Sequence, residues 1–208
     1  MASSLIHLAV ASEVNKKLDR DRRKILLGSI APDISKLVDS DRNKSHFLLD
    51  GEEIPHLDWF LVKYKEKLDD DFIMGYYIHL YTDYVWFKYF IPEIVNKNLI
   101  TKLDGTKVEC PSDHLLSLYI YNDYTNLNQE LIDEYNLDLK IFYEELPKID
   151  TFMSEIPIDK LYILVNKAGE ILESSKRKKE YIFNMDDIKQ FISMCVDMIL
   201  SNIDELGI

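Results

Sequence analysis

Apolar residues recur at helical spacing along most of this chain. Leu5, Ile6, Ala9, Val10, Val14 and Leu18 form one stripe, so a first helix is expected from Ser3 or Ser4 to about residue 21, capped by a serine hydroxyl. The run 25–34 is apolar but broken by Gly28 and Pro32, which predicts a bend held against the core. Residues 36–45 are polar and read as loop, and 57–67 read as a short amphipathic helix. Residues 71–90, DFIMGYYIHLYTDYVWFKYF, are apolar or aromatic on nearly every face, which predicts a central helix running through the protein. Asp69, Asp70 and Asp71 give it an acidic first turn, as the helix dipole favours.

Pro92 should end or bend that helix, and Asp104-Gly105 marks a turn within 96–111, where a small hairpin fits. Further helices are expected at 111–124, 126–135, 139–146, 158–172 and 185–203. Asn184 is placed to cap the last of these, and 174–180 (SSKRKKE) reads as an exposed charged loop. No repeat or long linker divides the 208 residues, so the expectation is one all-α domain, 1–208, a multi-helix bundle around the buried helix 71–90. Only six Gly and six Pro agree with helices over turn-rich β architecture.

A net charge of −12 argues against nucleic-acid duplex binding and against attachment to anionic lipid. The stretch 72–90 is long enough to raise a membrane span, but it contains His79, Asp83, Lys88 and five tyrosines, so a buried helix without a transmembrane role is expected. Cys110 and Cys195 form no motif, and the first residues have no basic n-region, so a cytoplasmic protein is expected.

Charge inside an apolar helix is costly unless it is paired or bound to a cation. His79 and Asp83 lie four residues apart, one turn from each other on the same face, with Gly75 a turn earlier leaving room beside His79. They read either as two metal ligands or as a buried histidine bonded to its own carboxylate. His7 edges the first stripe, Asp33 sits in the apolar bend, and His46 follows the polar loop. Together His7, Asp33, His46, His79 and Asp83 supply three imidazoles and two carboxylates, a set suited to zinc or a similar divalent ion. Asp83 can bridge two ions, one held with Asp33, His46 and His79 and the other partly by His7. The chain lacks His-Glu-x-x-His, His-Asp, a phosphate-binding glycine loop and Gly-x-Ser-x-Gly.

The order of these residues resembles a family. A histidine in the first helix is followed by Gly-Ser-x-Ala-Pro-Asp (28–33), Ser-His-Phe (45–47) and Gly-x3-His-x3-Asp (75–83). This is similar to the zinc-dependent phospholipase C family, whose all-helical fold is shared with S1/P1-type nucleases. The resemblance covers residues 5 to about 90. It implies that Asp33, His46, His79 and Asp83 hold one metal and that Asp83 reaches a second with His7. It also implies that Asp33 acts as general base. The secreted members begin with a metal-binding tryptophan, whereas this chain begins with Met1. They also use a later His-x3-Glu, which is missing here; His114 and Asp123 are the candidate replacements. One or two ions are therefore expected, zinc first, with manganese or iron as alternatives. The function implied is hydrolysis of a small phosphodiester or phosphomonoester by metal-activated water. The alternative is a helical metal-binding or interaction module that kept the fold without turnover. Tyr76, Tyr77, Tyr81, Tyr84 and Trp59 are further candidates for lining a pocket, though aromatics at such spacing are more often core.

Overall fold

The computed structural model describes residues 2–96, 99–110, 113–137, 145–150, 152–174 and 182–208. The expected helix over 139–146 and the charged loop over 174–180 lie largely outside them. The fold is mostly helical, with one small sheet. Helix α1 (Ser4–Leu18) starts where the Ser3 hydroxyl accepts the Ile6 amide. It ends at Asp19, which is left-handed (φ 52°), just short of the expected boundary.

The run 25–34 is buried and breaks after Gly28, as expected, but the break joins two elements that were not: a second helix, α2 (Arg22–Gly28), and a 3-10 turn, Ala31–Lys36. Asp21 caps α2 by accepting the Arg23 and Lys24 amides. Pro32 opens the 3-10 turn, where its missing N–H is no loss. The polar segment 36–45 also hides a one-turn helix, α3 (Arg42–His46), capped by Asp41 and closed at left-handed Phe47 (φ 53°). Next is α4 (Leu57–Tyr64), extended by a 3-10 turn to Lys67.

The central helix α5 (Asp71–Val85) is capped by Asp70 and buries every residue from Phe72 to Asp83. It continues as one π-helical turn, Trp86–Phe90, and a last turn, α6 (Ile91–Ile94). Pro92 offers no N–H to the preceding turn, and the wider π turn accommodates this without ending the helix. Trp86 there packs edge-on against Phe183 and Phe191, with ring centroids 6.1 and 5.0 Å away.

The excursion at 96–111 is a three-stranded antiparallel meander of β1 (Val95–Asn96), β2 (Leu99–Thr101) and β3 (Lys107–Glu109). Val95 pairs with Ile100 and Ile100 with Val108, while Gly105 (φ 79°) makes the β2–β3 turn. The two helices expected across 111–135 are one, α7 (Asp113–Tyr135). Thr125 does not interrupt it. Helices α8 (Leu161–Ser174) and α9 (Met185–Leu206) complete the fold, and Asn184 and Asp187 form a reciprocal capping box at the start of α9. Among the described residues no helix is long and apolar enough to cross a membrane.

One contact positions everything that follows. Helices α2 and α5 cross backbone to backbone at Gly28 and Gly75. A Cβ on Gly28 would strike the Phe72 carbonyl oxygen, and one on Gly75 would strike the Ile25 carbonyl oxygen. The bare face of Gly75 therefore receives α2 and does not open a clearing beside His79. The crossing instead brings the backbone that follows Gly28 against the next turn of α5.

Candidate metal centre

That crossing sets His79. Its Nδ1 lies 2.8 Å from the Ser29 carbonyl oxygen, which can only accept, so Nδ1 carries the proton and Nε2 presents a lone pair inward. His46 is held in the same manner from α3. Its Nδ1 lies 2.8 Å from Ser45 Oγ and 3.3 Å from the Arg42 carbonyl oxygen, again turning Nε2 inward. The Ser45 carbonyl in turn accepts from the Tyr76 hydroxyl, tying α3 to α5. Metal-bound histidines are usually oriented in this way, by a carbonyl or carboxylate on the far nitrogen.

The two Nε2 atoms are 3.3 Å apart. Two carboxylates face them. Asp33 Oδ1, carried by the 3-10 turn, is 3.4 Å from His46 Nε2. Asp83 Oδ2 is 3.6 Å from His79 Nε2 and 4.0 Å from His46 Nε2. Four ligands at about 2.0–2.1 Å from a tetrahedral ion stand about 3.3–3.4 Å from one another. The shortest separations here, 3.3 Å between the two Nε2 atoms and 3.4 Å from His46 Nε2 to Asp33 Oδ1, match that value, and the two to Asp83 Oδ2 are longer, at 3.6 and 4.0 Å.

His7 stacks on His79 with ring centroids 3.8 Å apart and sets Nε2 3.4 Å from Asp83 Oδ1. The same Oδ1 accepts the Ala2 amide at 3.0 Å. Both His7 nitrogens are buried without a hydrogen-bond partner, as are Asp33 Oδ2 and Asp83 Oδ2. Buried polar atoms are seldom left so. All five side chains are at most 2% exposed.

The local electrostatics match. Burial would push Asp33 up, but the Lys36 ammonium first, then His46, hold it well below the usual carboxylate range. Burial likewise opposes ionisation of Asp83, and His7 and His79 outweigh it to hold Asp83 far below its ordinary value. Burial, reinforced by His7, drives His79 well below 6.5 and keeps it neutral. The centre thus offers two ionised carboxylates and, at His79, a neutral imidazole, the protonation states in which these groups bind a divalent ion.

Among the described residues, two groups bring three possible ligand atoms within 4.8 Å of one another: His7, His79 and Asp83, and Asp33, His46 and His79. These are the five residues singled out from the sequence. Asp123 is not among them. It lies buried in α7, where its Oδ2 accepts the Ile182 and Phe183 amides at 2.6 and 3.2 Å, and so serves the chain entering α9. His114 lies on α7, and its side chain is outside the described residues. His56 pairs with Glu52 at 2.8 Å and stacks on Trp59, away from the centre.

The tyrosines do not line the centre. Tyr76 is core, and Tyr77, Tyr81 and Tyr84 line a separate groove of about 870 Å³ between the 52–58 segment, α5 and Asn202 of α9. Trp59 is 42% exposed on α4. Sequence reasoning did not find the orienting groups: the Ser29 carbonyl, Ser45, and Lys36, whose Nζ lies 2.7 Å from Asp33 Oδ1. Backbone carbonyls carry no residue signature, but the Asp33–Lys36 spacing was available to be noticed. The chain matches no family model, no curated protein and no solved structure.

Proposed function

We propose that Asp33, His46, His79 and Asp83 hold a divalent cation, and that the chain is a metal-dependent phosphoesterase of the phospholipase C/P1 nuclease-like kind. The supporting observation is that two imidazole lone pairs and two carboxylate oxygens converge at 3.3–4.0 Å. Each histidine turns Nδ1 to an oxygen on its far side, so both Nε2 atoms face the two carboxylates, an arrangement that a cation would satisfy. The mixed nitrogen and oxygen donors favour zinc, with manganese or iron as alternatives. The unpartnered His7 facing Asp83 Oδ1 fits a second ion, with Asp83 as the bridge.

Such an ion supplies Lewis acidity that lowers the pKa of water toward neutrality and neutralises phosphoryl oxygens. The chain's own groups do the rest. Asp33, ionised and with a free Oδ2, accepts the proton of the attacking water. Ser29 and Ser45 fix the imidazole orientations. Asp83 spans both positions, so each of its oxygens faces a different imidazole.

The rival reading is a metal-binding module without turnover, and the near-complete burial of all five side chains favours it. Hydrolysis of bis-p-nitrophenyl phosphate with added zinc or manganese separates the two. Turnover that disappears in Asp83→Asn supports the phosphoesterase. A metal-loaded protein inert on a panel of phosphodiesters and phosphomonoesters supports the module.

A further inference from the structure

One cationic side chain already touches the centre. Asp33 and Lys36 are three residues apart on the 3-10 turn, and residues at that spacing eclipse one another on a three-residue helix. Lys36 Nζ therefore lies 2.7 Å from Asp33 Oδ1, the same oxygen that faces His46 Nε2 at 3.4 Å. The five ligand side chains are at most 2% exposed, but Lys36 is 31% exposed, so it spans from the buried carboxylate to solvent.

We propose that Lys36 is a tethered counter-ion of this centre: it holds Asp33 while the cage lacks a divalent cation, gives it up on loading, and then presents its ammonium to the phosphoryl group of the substrate. This role rests on the cation-holding reading above. An ammonium and a divalent ion cannot both sit against one carboxylate oxygen without strong repulsion. Of the groups around that oxygen, the lysine is the one carried on a flexible four-carbon stem with three rotatable donors. Its exposed side is the way out. Once released, it remains next to the centre, as a local positive charge in a chain of net charge −12 that has to attract an anionic phosphoester.

The two halves of this role push two affinities in opposite directions, which a structural role would not do. Zinc is titrated into metal-free wild type, Lys36→Met and Lys36→Arg. Inorganic phosphate is then titrated into each zinc-loaded, desalted protein. Lys36→Met is expected to bind zinc about tenfold more tightly and phosphate about tenfold more weakly, the scale of one charge-assisted hydrogen bond. Lys36→Arg keeps a cation on the stem and is expected to stay near wild type for both ligands.

Zinc affinity that is unchanged or weaker in Lys36→Met would overturn the counter-ion role. Unchanged phosphate affinity would overturn the substrate-facing role. Either result leaves the metal centre standing if zinc still binds. Failure of wild type and both variants to bind zinc would instead remove the cation-holding reading, and this role with it.

Discussion

Two buried acidic sites in this molecule are built in opposite ways. Asp123 is fully buried, and two backbone N–H groups, from Ile182 and Phe183, point at one of its oxygens. It has the donors that a buried carboxylate needs. Asp33 and Asp83 are buried just as deeply, and each has one donor on Oδ1, the Lys36 ammonium and the Ala2 amide, but both also face imidazole Nε2 atoms and keep Oδ2 without a hydrogen-bond partner. The difference sets a carboxylate that holds the fold apart from the two carboxylates proposed to hold a cation. Burial and residue type alone do not make that distinction, since all three are acids in apolar helical surroundings.

Mutation at the two sites should therefore have opposite consequences. The largest effect is expected from Asp83→Asn. Loss of an outer-shell partner typically costs 10–100-fold in metal affinity, and loss of the bridging ligand should exceed about 100-fold, read by zinc titration. Asp123→Ala should leave zinc affinity within about twofold and instead lower stability by about 3 kcal/mol, because two buried N–H groups lose their acceptor at about 1–3 kcal/mol each. If Asp123→Ala loses the metal, or Asp83→Asn only lowers the melting temperature, the contrast is wrong.

Gly75→Ala tests how the backbone crossing sets the centre. The added methyl meets the Ile25 carbonyl oxygen, so α2 and α5 must separate, at a cost of about 1–3 kcal/mol as for other overpacked sites. Because the same crossing brings the Ser29 carbonyl to His79, zinc affinity should fall together with stability. Stability measured by urea unfolding with unchanged zinc affinity would uncouple the two.

A smaller effect is expected from pH. The folded protein holds His79 neutral below its ordinary value, so the unfolded chain binds that proton more readily. Stability of the metal-free protein should then be full above about pH 6.5 and decline as pH falls through the range where the unfolded histidine protonates. Asp33 and Asp83 have depressed values, so their contribution is present above about pH 4 and is lost only below it. Urea unfolding at pH 7 and pH 5 should show the first decline, and His79→Gln should flatten it.

Much of the helix inventory was readable from the chain because its signals are local. Ser3 and Asn184 announced the first and last helices, and the apolar run 71–90 announced α5. What escaped were elements defined by hydrogen bonds more than by hydrophobic spacing: α2 at an apparent bend, the five-residue α3 in a polar stretch, and the π turn before Pro92. The site divided in the same way. The spacing of His79 and Asp83 is local and visible. The approach of His7, Asp33 and His46 was expected mainly from the resemblance, since no short spacing joins them. Gly28 and Gly75 both stood out in the sequence, yet their pairing belongs to two crossing helices, and neither helix alone specifies it.

The central claim is that four side chains share one ion, and a crystal structure of zinc-soaked protein with anomalous scattering at the zinc edge tests it most directly. The expected result is a peak about 2.0–2.2 Å from Nε2 of His46 and His79 and from one oxygen each of Asp33 and Asp83. A protein that stays free of metal there, or binds zinc only at surface carboxylates, would contradict it.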